Sequence, residues 1–431
     1  MAFSRRARLR ALARKPGHER FFALADQGLQ GVAGLAAFAI FGRALPTHEF
    51  GALGIAIGAY FFAVGFHRSA IVLPYLTEHR VFPDAAAEQA YHSDWWWLSV
   101  AGSLVVALAL ASIAIVLPWV SSELTWLVKP GLLGAIITLP MAAAEFGRRW
   151  LYRLGRPEMA ALLSLVFFAV LVAGAIGVAL VNPTAPSALA CWFAGSSAAA
   201  IVALVVGRMR WPRWRVSLSL FRQHWPFSMW LVMNLVPYTV YSTATVVMLV
   251  GGLFGPQAAA VFTAARTLTN PAVSITSAID SIDKPRAARA LAEGGVGGLA
   301  ASVRSMRWMI LVLTGVYLGL VMLLAGPLID LVFSGEYTEA ASEVRLLAIA
   351  FFLFCLNLPS ETFLIVLRRS KTLFLTRLLT AMVTLIALIV ALPYGIRGMA
   401  LAIAVSQGAN IVFLYLAERR LRTQDLQLAR S

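Results

Sequence analysis

The sequence predicts an all-α polytopic membrane protein with about twelve transmembrane helices in two six-helix lobes and both termini in the cytoplasm. Three observations predict it. Of 431 residues, 60% are hydrophobic and 13% are charged, whereas a soluble chain carries roughly 45–50% apolar and about 25% charged residues. Apolar stretches of about 20 residues, the length that crosses a bilayer as a helix, recur along the whole chain. The basic residues fall on one side of the membrane when those stretches are threaded back and forth.

Cutting the apolar stretches at Pro, Gly and charge clusters gives the spans. The first half yields Phe21–Leu45, Phe50–Leu73, Trp95–Val120, Leu124–Leu151, Met159–Val181 and Ser187–Val206. The second yields Trp225–Leu253, Gln257–Ile282, Trp308–Phe333, Val344–Leu367, Thr372–Leu392 and Ile396–Leu416. Pro237, Pro271 and Pro359 fall within helices, where the missing N–H invites a kink that serves hinges or packing.

There are 36 Lys and Arg against 20 Asp and Glu, a net charge of +16. An excess of that size suits a nucleic-acid patch or a topology signal, and its placement decides. The N-terminal tail, Arg80, Arg148–Arg156, Arg208–Arg222, Lys284–Arg307, Arg368–Arg377 and Arg419–Arg430 all fall on one side, taking all but six of the basic residues. This is the positive-inside asymmetry, which sets orientation and agrees with an even helix count. Nucleic-acid binding is unnecessary to explain the charge.

The tail (residues 1–20) holds Arg5, Arg6, Arg8, Arg10, Arg14, Lys15 and Arg20. The apolar stretch after it is too long for a cleaved secretory signal, so it is expected to stay in the cytoplasm, an Arg-rich transit peptide being the rival reading. Cys191 and Cys355 lie far apart inside apolar stretches, without metal-ligand or disulfide-framework spacing. No phosphate-binding loop motif occurs. Neither a cofactor nor a metal is expected.

The outer connections, Asn182–Pro186, Gly255–Pro256 and Tyr394–Gly395, are too short to fold into an external domain, so function must sit within the membrane. The longest inner connection, residues 283–304, has helical Ala/Arg spacing broken by glycines and suggests an interfacial amphipathic helix. Lobes at 21–207 and 225–418 are expected on either side of a basic, Trp-rich inter-lobe linker at 208–224, with a second cytoplasmic tail at 419–431. The tryptophans at 95–97, 211, 214 and 225 invite a sugar-binding reading, but their positions at predicted helix ends argue for an interfacial belt. A weak repeat supports the two lobes: the fourth helix ends in GRRWLYRLGRP and the tenth in VLRRSK. Transporters commonly build two gates around one site from such repeats.

Three short segments give the chain a family resemblance. FGRALPTHEFGALGIAIGAYFFA (41–63), with Glu49 before an aromatic residue and Gly51, looks like a first-lobe hairpin. LFGPQAAAVFTAARTL (253–268) is similar to the hairpin that opens the second lobe. LVFSGEYTEAASEVRLLAIAF (331–351) carries a Gly-x-Tyr loop before the tenth helix. The layout and these segments resemble the polysaccharide flippases, the Wzx-type exporters of O-antigen and exopolysaccharide repeat units within the multidrug, oligosaccharidyl-lipid and polysaccharide exporter superfamily. The resemblance implies a V-shaped fold, like that of the MATE and MurJ transporters, around a cationic central cavity that holds the diphosphate of a polyprenyl-linked oligosaccharide. It implies membrane lipids as surroundings, a polysaccharide polymerase and export machinery as partners, and a monomer in the bacterial inner membrane.

Ionisable groups at membrane depth are costly and so are functional candidates. Arg266 lies about 13 Å into the eighth helix at 1.5 Å per residue, too deep for easy snorkelling. A guanidinium offers the forked donors that phosphate oxygens accept, an interhelical ion pair being the alternative. Arg68, beside His67, could reach headgroup phosphates or snorkel. Arg43, near the outer end of the first helix, suits an interfacial anchor or an outer gate. Among acids, Asp26 shares a polar face with Gln27 and Gln30 and could face a cavity or favour the helix N-terminus. Glu145 and Glu361 sit near matching helix ends, which suits an ion-coupling or gate role. Glu145 could instead pair locally with Arg148 and Arg149; Glu361 has no basic residue before Arg368. Asp280 and Asp283 are expected to pair with Lys284 and Arg286.

The leading expectation is a flippase for a lipid-diphosphate-linked oligosaccharide working by alternating access. A proton- or sodium-coupled small-molecule exporter would make the acids central instead. A membrane-embedded glycan polymerase or ligase would call for a large outer loop, and the loops are short; the chain is not expected to be an enzyme.

Overall fold

The computed structural model describes residues 16–77, 82–181 and 183–428, and those residues contain helices and no strands. Ten helical stretches among them are long and apolar enough to cross a membrane. The last of these, Ser370–Thr423, holds two helices joined by a tight turn. The chain divides into two compact units, one ending at Leu235 and one beginning at Val236. The basic N-terminal residues up to Lys15, Arg80, Asn182 and Arg430 lie outside the described residues.

In the first unit, α1 (Pro16–Ala44) turns within two residues into α2 (Thr47–His67). That helix continues through a π-helical turn, Arg68–Val72, and a last turn, Leu73–Thr77. α3 (Ala85–Val120) starts ten residues before the apolar run, because the Asp84 carboxylate accepts the Ala87 N–H at 2.7 Å and caps the extra turns. α4 (Val128–Arg153), α5 (Pro157–Val181) and α6 (Ala185–Gly207) complete the unit. Thr184 and Ser187 cap α6 reciprocally, and Glu49 of the α1–α2 hairpin accepts the Ala185 N–H at 2.6 Å. An anion at a helix N-terminus is favourable, which gives the acidic residue of the first motif a structural task.

Small residues let these helices approach. A methyl group on Gly134 of α4 would stand 2.6 Å from the Ala56 carbonyl oxygen of α2, so the two backbones meet directly there. The tryptophan belt is corrected at two positions. Trp95 and Trp96 are buried, not interfacial: Trp95 packs on Tyr75, Tyr91 and His224, and Trp96 on Phe146. Trp97 stacks on Trp211 with centroids 5.7 Å apart. Trp211, Trp214 and Trp225 are exposed.

The basic linker is fastened to α3. Asp94, buried, accepts from the Arg213 backbone N–H at 3.2 Å and from its guanidinium at 2.5 and 3.2 Å. Ser93 accepts the Arg210 N–H at 3.0 Å, and the Trp97 indole donates to the Arg210 carbonyl at 2.8 Å. The hydrogen bond that its guanidinium donates to Asp94 raises the Arg213 pKa, so the clasp keeps its cation.

α7 (Trp214–Val240) leads out of the first unit. The second unit continues with α8 (Thr243–Thr269), α9 (Pro271–Leu323), α10 (Ala325–Phe333), α11 (Ala341–Val366), α12 (Ser370–Ala391) and α13 (Gly395–Leu428). The expected span Trp225–Leu253 is broken at Tyr241–Ser242, where α7 stops and Ser242 caps α8. Two glycine breaks fall at the expected connections. Gly255 sits at φ 86° and ψ −179° inside α8, a region open essentially to glycine alone. Gly294 and Gly295 interrupt α9 within the long basic connection. Pro271 occupies the first position of α9, where its missing N–H costs nothing. The expected span Trp308–Phe333 ends at Leu323, and α10 follows as a separate short helix. A small apolar core of Leu299, Val303, Phe363, Leu364 and Leu414 joins α9, α11 and α13.

Candidate functional site

Each unit gathers charged side chains within its helices. In the first unit the centre is Asp26 of α1, fully buried. Arg148 of α4 grips both carboxylate oxygens, Nε to Oδ1 at 2.8 Å and Nη2 to Oδ2 at 2.7 Å. The Tyr152 hydroxyl donates to Oδ2 at 2.7 Å, and the Ser164 hydroxyl of α5 donates to Oδ1. Gln30 donates to Ser164 at 3.0 Å. Every lone pair facing the protein thus has a donor, the condition for keeping an ion pair in a medium of low polarity.

One turn earlier on α4, Glu145 lies 3.8 Å from Arg149 and 4.0 Å from Arg68. The local pair at Glu145 therefore forms with Arg149, while Arg148 turns to Asp26. Arg149 is within electrostatic reach of Arg68, Glu145, Arg148 and Asp26, so the two pairs form one network. Three guanidiniums face two carboxylates in it. Arg68 opens the π-helical turn, and the preceding His67 is held by the Ser99 carbonyl and hydroxyl, both at 3.0 Å. Such π-turns often re-aim side chains at functional sites. Arg43 stands exposed in the last turn of α1, at the far end of that helix from Asp26.

In the second unit the sequence candidates Arg266 and Glu361 are joined by two residues that sequence reasoning missed, Arg377 and Tyr238. Arg377 of α12 donates to Glu361 of α11 at 3.2 Å and lies 5.3 Å over the Tyr238 ring. Tyr238 and Tyr241 meet edge to face, centroids 5.3 Å apart, at the α7–α8 break. Arg266 of α8 is within electrostatic reach of Tyr238. Arg377 stands seven residues, about 10 Å, into α12, and Tyr241 at the break is buried. A broken helix also exposes main-chain N–H groups at the start of its second half, which favours anions.

Arg377 carried one readable signal: it lies inside the apolar run Thr372–Leu392 and belongs with the intramembrane charges rather than with the basic cluster before it. Tyr238 carried none. Lys284 and Arg286 pair with Asp280 at 2.8 Å and Asp283 at 3.2 Å as expected. Among the described residues no three His, Cys, Asp or Glu side chains are placed to hold a metal ion.

The sequence profile of a family described as polysaccharide biosynthesis protein matches residues 40–295 of the chain. The chain belongs to that family. Solved structures agree on the fold. An inward-facing multidrug resistance MATE family transporter of the MOP superfamily aligns with TM-score 0.62 at 15% identity, over 95% of this chain and 99% of that one. The lipid II flippase MurJ, in an inward closed conformation, aligns with TM-score 0.64 at 14% identity, over 93% and 87%. A MOP superfamily transporter from Pyrococcus furiosus aligns with TM-score 0.57 at 13% identity, over 95% of each chain. No curated protein matches by sequence. The family member therefore has the multi-pass fold of the MOP-superfamily transporters and flippases.

Proposed function

We propose that the protein is a flippase that moves a polyprenyl-diphosphate-linked oligosaccharide repeat unit across the bacterial inner membrane by alternating access, for polysaccharide biosynthesis. In this reading it crosses the membrane twelve times with both ends in the cytoplasm, acts as a monomer and hands its cargo to a polymerase and export machinery. It is not an enzyme.

The observation that carries the reading is the pair of arginines gathered about Tyr238 in the second unit of a polysaccharide-biosynthesis family member. Arg377 lies over the Tyr238 ring and Arg266 is within electrostatic reach of the same residue, beside a helix break, and forked guanidinium donors at membrane depth suit the oxygens of a diphosphate. Arg68 supplies the same kind of group in the first unit, and Arg43 suits a guard of the outer gate. Asp26, Glu145 and Glu361 then act as the fixed counter-charges that hold the arginines in place.

The alternative is a proton- or sodium-coupled drug exporter, which draws support from the MATE-like fold. It would need a carboxylate that releases its partners, and Asp26 is engaged by four donors from α1, α4 and α5. The deciding experiment deletes the gene and follows lipid-linked glycan in the two leaflets, together with resistance to cationic drugs. Glycan accumulating on the cytoplasmic side supports the flippase; unchanged glycan distribution with drug hypersensitivity overturns it.

A further inference from the structure

A second polar cluster in the second unit plays no part in the reading above. Where α9, α11 and α13 meet, a pocket of about 190 Å³ is lined by Arg307, Leu311, Asn357, Ser360, Ile411 and Tyr415, among others. At its polar end Glu418, 1% exposed, accepts from Arg307 at 2.8 Å, from Ser360 at 2.6 Å and from Arg422. Two guanidiniums share one carboxylate, leaving one positive charge.

Asn357 supplies an independent signal. It is 3% exposed and lines the pocket; its amide N–H₂ donates to Gln407 at 2.9 Å, and its carbonyl oxygen receives no donor among the described residues. A buried acceptor without a donor is costly, so a ligand hydroxyl or N–H is wanted there. The pocket mouth is apolar. Of the lining residues, Leu311 and Tyr415 are themselves exposed, at 38% and 51%, so the pocket opens beside apolar and aromatic side chains. A mouth opening on water would not be surrounded in that way, whereas one facing lipid tails would be.

Depth agrees. Arg307 immediately precedes the apolar span that begins at Trp308, and Glu418 follows the span that ends at Leu416. Arg307, Ser360 and Glu418 thus stand at headgroup level on the basic side of the protein, with Trp308 as a typical interfacial residue, and Asn357 lies about one helical turn deeper on α11. Residual charge, a missing donor and an apolar mouth define a ligand with one negative charge, a hydroxyl and hydrocarbon tails.

We infer that the pocket between α9, α11 and α13 is a binding site for an anionic phospholipid carrying a hydroxylated headgroup. Its phosphodiester sits against the Arg307 guanidinium, its headgroup turns sideways into the pocket so that a hydroxyl donates to the Asn357 carbonyl oxygen one turn deeper, and its acyl chains leave along Leu311 and Tyr415. The lipid is a resident of the leaflet rather than the transported cargo.

The test is native mass spectrometry on the purified full-length protein titrated with dioleoyl-phosphatidylglycerol or dioleoyl-phosphatidylcholine. Two variants accompany it: Asn357→Leu removes the acceptor, and Leu311→Trp fills the mouth without touching the Arg307–Glu418 pair. Phosphatidylglycerol is expected to bind at least about fivefold tighter than phosphatidylcholine. Each variant that keeps the wild-type melting temperature without lipid is expected to lose that preference. Equal binding of the two lipids, or a preference that survives both substitutions, overturns the assignment. Displacement of phosphatidylglycerol by millimolar inorganic phosphate would overturn the lipid as occupant, since the tails would then contribute nothing.

Discussion

Arg148 holds Asp26 through two parallel hydrogen bonds of 2.8 and 2.7 Å, joining helices whose contact residues are 122 positions apart in the chain. The planar guanidinium matches the carboxylate edge to edge, a geometry that lysine cannot copy. Removing one partner of such a buried pair strands the other charge, at about 3–5 kcal/mol. Arg148→Ala and Arg148→Lys are therefore both expected to lower the melting temperature of the purified protein, the first more. Asp26→Asn with Arg148→Met should recover part of the loss. A wild-type melting curve for Arg148→Ala would show that the pair contributes nothing to the fold.

The second-unit cluster makes a different prediction, because in the proposed reading Arg266 binds the diphosphate of the cargo. A hydrogen bond to a charged group is worth about 1.5–3 kcal/mol, or roughly 10- to 100-fold in transport. Arg266→Ala should cost that much in the rate at which lipid-linked glycan reaches the outer leaflet, at normal protein level and melting temperature. Wild-type transport in that variant sinks the assignment of Arg266.

Tyr238 separates a binding role from a packing role. Tyr238→Phe keeps the ring beneath Arg377 and so keeps the cation–π contact, worth about 0.5–2 kcal/mol. Tyr238→Leu removes it. Transport close to wild type in the first variant and reduced several-fold in the second is the expected pattern; equal loss in both would assign the role to the hydroxyl instead.

Several features of the fold were legible because their cause is local. Gly255 with Pro256, and Gly294 with Gly295, interrupt helices where the residues themselves prefer to, and the alternating basic clusters mark helix ends without reference to any partner. What was not legible depends on distant residues. Nothing near Asp26 in the sequence announces Arg148, and nothing near Glu361 announces Arg377, since each pair is made by helix packing. The Tyr241–Ser242 break escaped notice because the run around it is apolar enough to span, and Ser242 acts as a cap only once α7 has stopped. Trp95 and Trp96 misled for a related reason. A tryptophan near a helix end reads as interfacial unless the aromatic side chains of Tyr75 and Phe146 are known to enclose it.

Gly255 should be intolerant for a conformational reason. Its φ of 86° with ψ of −179° would strain any L-residue by about 1–3 kcal/mol, although no atom stands within 3.4 Å of an added methyl group. Gly255→Ala is therefore expected to lower the melting temperature, and its neighbours Phe254 and Pro256 cannot take over the positive φ. An unchanged melting temperature would mean that the hairpin adopts another backbone path.

The clasp between Asp94 and Arg213 bears on the linker. Arg213 is about half exposed, so its ion pair alone is screened and weak; the main-chain hydrogen bonds at Arg210 and Arg213 and the Trp97–Trp211 stack supply the rest. Asp94→Ala removes the acceptor of both the Arg213 side chain and its backbone N–H, while Arg213→Ala removes only the side chain. Trypsin cleavage after Arg208 and Arg210 should therefore speed up strongly in Asp94→Ala and weakly in Arg213→Ala, because cleavage of a docked segment follows the population of its released form. Raising the salt concentration should change the wild-type rate little, since main-chain hydrogen bonds, one of them to a buried carboxylate, and stacking hold the linker. A rate that climbs steeply with salt, or that is equal in the two variants, would show that the exposed ion pair alone keeps the linker against α3.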